Sequence, residues 1–174
     1  KNAVTKTTTA CFEPALDYLV MKIPRWDIGK FEYASKRIGT EMKSVGEVMA
    51  IGRSFEEVLQ KALRMLAIGA DGFTANRNGR FRVKEYLDEI KHPTTDRIFA
   101  IAEAMRRGVT PEKIHGLSKI DPWFLAKMAN IVAFERKAKR ARLTPALIRV
   151  AKRLGFSDKQ VVTIRGKDEM TIRK

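Results

Sequence analysis

Cysteine is all but missing from this sequence. Cys11 is the only one among 174 residues, which excludes an internal disulfide and any zinc cage built on thiolates, and fits a reducing compartment. Flanked by Ala10 and Phe12, it is expected as a small buried hydrophobe rather than a reactive thiol. Histidine is nearly as scarce. His92 and His115 have no partner at metal-ligand spacing, so no metal site is assigned. No apolar run approaches the roughly 18 residues needed to span a bilayer, and the start, Lys1-Asn2-Ala3-Val4, carries no signal-peptide pattern. A cytoplasmic location without a membrane partner is the matching expectation. Phosphate loops are lacking too: neither G-x-x-x-x-G-K-[ST] nor G-x-G-x-x-G occurs. The adjacent acids Glu56-Glu57 and Asp88-Glu89 point apart on a helix and are expected to be solvated. No catalytic, cofactor-binding or metal-ligating residue is therefore assigned.

What is abundant is positive charge. The net charge is +15 and the pI near 10.2, a balance that suits nucleic acid or an anionic surface. A hydrophobic content of 44% argues for a packed core rather than disorder. The sharpest nucleic-acid reading falls on residues 144–166, where a helix, the turn Leu154-Gly155-Phe156-Ser157 and a second helix resemble a helix-turn-helix. Arg136, Lys137, Lys139, Arg140, Arg142, Arg149, Lys152 and Arg153 lie before or inside it. The second helix offers only Lys159, Gln160 and Thr163 to bases, with Arg165 and Lys167 beyond. A helical structural module, with these cations solvated or facing an acidic partner, is preferred, and nucleic acid is disfavoured as a partner.

The chain reads as α+β and mostly α. A strand is predicted over Ala15–Ile23, ended by Pro24. A turn or short helix follows at Trp26–Phe31, then a polar loop at Ser35–Thr40. Val48-Met49-Ala50-Ile51 is a second strand, bounded by Gly52-Arg53. Ser54-x-x-Glu57 is a capping box that opens a helix with Phe55, Val58, Leu59, Ala62, Leu63 and Leu66 on one face. Residues 1–68 hold too little sheet to stand alone and read as the tail of a larger α/β domain. Gly69 to Gly79 is punctuated as a linker. Residues 69–174 then form an all-α domain. Its predicted helices are Phe81–Ile90, one starting at Thr95-Asp96 and stopped by Gly108, one from Thr110-Pro111 to about Gly116, Asp121-Pro122 to Arg140, one opened by Thr144-Pro145 and closed by Gly155, and one opened by the capping box Ser157-x-x-Gln160. Phe81, Val83, Tyr86 and Leu87 are candidates for a self-association surface as well as for core.

The stretch Met42–Arg53, MKSVGEVMAIGR, resembles a signature of the large subunit of carbamoyl-phosphate synthetase. FEPALDYLVMKIPRWDIGKF (Phe12–Phe31) is similar to the family's preceding segment. TDRIFAIAEAMRRG (Thr95–Gly108), IDPWFLAKM (Ile120–Met128) and GFSDKQ (Gly155–Gln160) resemble its central helical domain, in the same order.

The resemblance implies a specific architecture. Residues 1–68 would be the C-terminal tail of the first ATP-grasp half, which makes carboxyphosphate and then carbamate; residues 69–174 would be much of the helical oligomerisation domain. The enzyme is a ligase that makes carbamoyl phosphate from bicarbonate, glutamine-derived ammonia and ATP, for arginine or pyrimidine biosynthesis. ATP, Mg2+ or Mn2+ and K+ would belong to the full enzyme and none to this stretch, which is expected to be inactive alone. The implied partners are the remaining domains of the same subunit, the glutamine amidotransferase small subunit and further copies in a homo-oligomer. By the same resemblance Met42 and Glu47 line the passage that conducts carbamate to the second site. The segment Phe73–Phe81 is shorter and more basic than the family pattern, and Ala133–Arg142 is unusually basic.

Overall fold

A computed structural model describes residues 1–11, 17–76 and 84–166. Two strands, β1 (Leu19–Arg25) and β2 (Gly46–Gly52), pair antiparallel in a register running from Leu19 opposite Gly52 to Arg25 opposite Gly46. The pleat sends alternate side chains to opposite faces. Met21, Ile23, Val48 and the buried Ala50 face the core, while Val20, Met49 and Ile51 stay half exposed on the outer face. The strand predicted over Ala15–Ile23 is therefore shifted, with Ala15 and Leu16 outside the described residues. Pro24 does not end it; it lies inside β1 opposite Glu47. The carbonyl of Arg25 accepts from the N–H of Val45, so Arg25 faces β2 and the ring nitrogen of Pro24 faces the free edge. A missing N–H there removes no ladder bond.

The connection between the strands carries a 3-10 turn at Ile28–Lys30 and the expected polar loop. The loop is pinned by the N–H of Ile38 donating to the carbonyl of Pro93 at 2.8 Å. Helix α1 (Phe55–Met65) starts at the N-cap Ser54, whose hydroxyl accepts from the N–H of Glu57 at 3.3 Å. The reciprocal half of the capping box differs from expectation. The Glu57 carboxylate accepts from the N–H of Arg53 at 2.9 Å, one residue earlier, and from Lys61 Nζ at 2.5 Å.

Among the described residues six further helices follow: α2 (Tyr86–Lys91), α3 (Arg97–Arg106), α4 (Pro111–Ser118), α5 (Pro122–Arg140), α6 (Pro145–Arg153) and α7 (Asp158–Arg165). The caps that start α4, α6 and α7 are the expected Thr110, Thr144 and Ser157, and Asp121 starts α5. The predicted Phe81–Ile90 helix is shorter than expected: Lys84 and Glu85 form a turn and α2 begins at Tyr86 with Glu85 as its N-cap, while residues 77–83 lie outside the described residues. Helix α4 runs past Gly116 to Ser118 and ends on Lys119, which itself takes the left-handed conformation at φ 59°. The partly buried Leu117 packs against the core, and that packing outweighs the poor helix propensity of the glycine before it.

Helix α5 is the spine. It buries Leu125, Met128, Ile131, Val132, Phe134 and Ala138, and touches α1, α3, α4 and α7. The core is one cluster that runs from Leu59 and Leu63 of α1 through Phe99, Ile114 and Leu125 to Phe156 and Val161. Helix α1 thus has two partners: the inner face of the strand pair and the helical bundle.

Candidate functional site

The strand pair carries the first candidate site. Met42 sits in the loop before β2 and is 91% exposed. Lys43 closes that loop, donating to the carbonyls of Ser35 and Arg37. Glu47 projects from the outer face of β2, where its carboxylate meets Lys22 Nζ of β1 at 2.8 Å. Val20, Met49 and Ile51 complete that face. It is an apolar wall with a single ion pair on it.

Behind the wall, α1 is tied to the bundle by a buried polar node. Gln60 and Gln160 are both fully buried. Gln160 Nε2 donates to Gln60 Oε1 and to the carbonyl of Thr74, each at 2.8 Å. Gln60 Oε1 also accepts from the N–H of Phe73, and its amide donates to the carbonyl of Leu154. Arg64 donates to the carbonyl of Gly155 at 2.8 Å and to Gln160 Oε1 at 3.3 Å. Burial holds the Arg64 guanidinium below its ordinary pKa, as desolvation of a cation must. Every member has a partner, the condition under which a buried polar network specifies one arrangement. Glu56, expected to be solvated, is also buried: its carboxylate accepts from Asn130 Nδ2 of α5 at 2.8 Å. Glu57 is ion-paired with Lys61, and Glu89 accepts from the Thr94 hydroxyl, so neither is simply solvated.

An apolar cavity of about 500 Å³ lies where the strand pair meets the bundle, lined by Ile23, Trp26, Ile38, Pro93, Ile98 and Met128 among others. Asp96 stands at its edge with its carboxyl pushed above the usual carboxylate range, first by burial and then by Glu89.

The excess of cations has a structural outlet that sequence reasoning missed. Remote arginines satisfy the carbonyl ends of helices, the groups a helix leaves unpaired. Arg25 donates to Leu66 at the end of α1. Arg97 donates to Ile90 of α2 and Ser118 of α4. Arg136 serves Met105 and Arg106 of α3, and Arg165 serves Ala138, Lys139 and Ala141 at the end of α5. The C-terminal end of the helix dipole adds to each contact. Nothing short of the fold signals these pairings.

These contacts disfavour the helix-turn-helix reading. Gln160 is buried, the Thr163 hydroxyl bonds back to the carbonyl of Lys159, Arg165 turns inward, and Lys152 is paired with Asp158 at 2.6 Å. Among the predicted self-association residues, Phe81 and Val83 lie outside the described residues. Tyr86 is half buried with Arg107 stacked 4.9 Å from its ring centre, and Leu87 is 37% exposed. Trp123 and Phe124 at the start of α5 form a partly exposed aromatic group with Phe55. His115 Nδ1 lies 2.7 Å from the carbonyl of Ile120, and His92 lies 3.8 Å from Asp88. No group of three metal-ligating side chains converges among the described residues. Cys11 is exposed, contrary to expectation; the described residues just before it, Thr9 and Ala10, are exposed too, so hydrophobicity alone did not bury it.

Residues 47–174 match the family described as "Carbamoyl-phosphate synthetase large chain, oligomerisation domain". The chain is 49% identical over 173 residues to the carbamoyl phosphate synthase large chain of Thermoanaerobacter pseudethanolicus, covering 99% of this chain and 16% of that protein. It is 48% identical over 177 residues to the mitochondrial arginine-specific large chain of Schizosaccharomyces pombe, covering 99% and 15%. To multifunctional protein pyr1-3 of Dictyostelium discoideum it is 45% identical over 178 residues, covering 99% and 8%. The chain belongs to the carbamoyl-phosphate synthetase large-chain family, and residues 47–174 correspond to its oligomerisation domain. It spans 16% of the length of the first of these relatives.

Proposed function

We propose that this chain serves a glutamine-hydrolysing carbamoyl-phosphate synthetase as a spacing and assembly module that also contributes part of the wall of a carbamate passage. The segment before Glu47 closes the first ATP-grasp half, and the helical oligomerisation domain begins with β2 and α1, ahead of the boundary at residue 68 expected from the sequence. Met42 and Glu47 belong to the passage wall. The observation that carries this reading is the double attachment of α1. It packs on the strand pair that bears Glu47 and is locked to the bundle through Gln60, Gln160 and Arg64. Such a unit holds an apolar face at a fixed distance from an assembly domain, and that face excludes water once the rest of the large chain covers it.

On this reading, nucleotide and metal chemistry belongs to the rest of the large chain, which binds ATP, Mg2+ or Mn2+ and K+. The small amidotransferase subunit supplies ammonia, the setting is cytoplasmic, and the product feeds arginine or pyrimidine synthesis. The isolated chain hydrolyses no ATP above a no-protein control. Tyr86 and Leu87, with Phe81 and Val83, form the self-association surface. Light scattering over a concentration series at low and high salt tests the assembly role. A salt-insensitive dimer or larger species supports an apolar interface, and a monomer throughout counts against one on this piece. In the full enzyme, Glu47→Ala is expected to spare glutamine hydrolysis and lower carbamoyl phosphate output. Equal loss of both would remove the passage role.

A further inference from the structure

The outer face of the strand pair has three large apolar side chains half exposed: Val20 at 46%, Met49 at 55% and Ile51 at 53%. Its charged groups are Lys22 and Glu47, joined at 2.8 Å. The chain spans 16% of the length of a relative, so ample chain outside these residues is available to cover such a face. Once covered, a lone carboxylate on an apolar wall would be costly to ionise and would repel an anion. The ammonium on the neighbouring strand removes both difficulties.

We propose that Lys22 is a specificity-determining residue of the passage, a role that rests on the reading of Glu47 as part of its wall. The two groups suit the two ends of carbamate. The carbamate carboxylate accepts hydrogen bonds from the Lys22 ammonium, and its amino group donates to the Glu47 carboxylate. The pair is neutral as a unit, so it neither repels the anion nor holds it as a bare cation would. The register sets this geometry: Lys22 lies opposite Met49 and Glu47 opposite Pro24, which makes the two charges diagonal neighbours on one face, within reach of a long side chain.

The test uses the complete enzyme with its small subunit. Glutamine hydrolysis, bicarbonate-dependent ATP hydrolysis and carbamoyl phosphate formation are measured for Lys22→Met, Lys22→Arg, Glu47→Ala and the double variant Lys22→Met/Glu47→Gln. Lys22→Met is expected to lower carbamoyl phosphate formed per glutamine hydrolysed by roughly tenfold, the scale of one lost charge-assisted hydrogen bond, with both hydrolysis rates unchanged. Lys22→Arg is expected to retain most of the output. The double variant is expected to exceed Lys22→Met alone, because the unpaired carboxylate is gone. If Lys22→Met matches the unmodified enzyme while Glu47→Ala is impaired, the role of Lys22 is overturned and the passage reading stands. If neither variant changes the yield, the passage reading falls and the proposal with it. Loss of all three activities together in Lys22→Met would mark a structural residue and also overturn the proposal.

Discussion

Gln160 Nε2 lies 2.8 Å from Gln60 Oε1, a bond between two fully buried amides one hundred positions apart in the chain. It joins α7 to α1. Gln160→Leu would strip partners from the carbonyl of Thr74, the N–H of Ser157 and Gln60 at once. A loss of about 3 kcal/mol is expected, read from urea unfolding of the 174-residue chain. The double variant Gln60→Leu/Gln160→Leu should cost less than the sum of the singles, since each amide is the other's partner. Additive losses would deny the coupling.

Two glycines separate backbone conformation from close approach. Gly155 has φ +81°, and a Cβ there would lie 2.8 Å from Glu57 Cα and 2.9 Å from its carbonyl oxygen. Gly108 has φ +90° and open space around it. Gly108→Ala should therefore cost about 1–2 kcal/mol, the left-handed penalty alone. Gly155→Ala should cost clearly more, because the α6–α7 turn must move off α1. Equal midpoint shifts in denaturation would refute the close packing.

The arginine contacts at helix ends predict that basic residues differ in worth. Arg165 donates to three carbonyls at the end of α5, whereas Arg149 is exposed on α6. Arg165→Met is expected to lower stability by about 1–3 kcal/mol, and Arg149→Met to stay within about 0.5 kcal/mol of the parent. Melting curves of both variants at one salt concentration decide it.

Glu135 sets a pH dependence. Burial pushes its carboxyl above the usual carboxylate range, and Arg106 at 3.4 Å offsets only part of that. The folded state therefore holds the Glu135 proton more tightly than the unfolded chain does. Stability from this group is present below the ordinary value of 4.5 and is lost as pH rises through the raised value. Glu135→Gln should flatten the fall in melting temperature on that rise and leave the variant no less stable at neutral pH. An unchanged slope would exclude Glu135 as its source.

Much of this fold is legible in short windows. Thr110-Pro111, Asp121-Pro122, Thr144-Pro145 and Ser157-x-x-Gln160 mark four helix starts that the structure keeps, because capping joins a side chain to a backbone group within two or three residues. The family motif Met42–Arg53 is equally local. Glu56, Gln160, Arg165 and Cys11 read less well. Glu56 and Gln160 look like surface residues and are buried on partners 74 and 100 positions away. Cys11 looks like core and is exposed.

The amino-acid order alone determined the helical and strand periods, the caps, a mostly helical chain preceded by two strands, and the family. Each of those rests on interactions spanning a turn or a strand pair, or on a contiguous motif. Only the tertiary structure decided that Pro24 sits within a strand, that arginines turn inward to helix ends, and that Lys22 meets Glu47. A charged or polar side chain finds its lowest free energy in water or beside a remote partner, and the chain's own sequence window does not contain that partner.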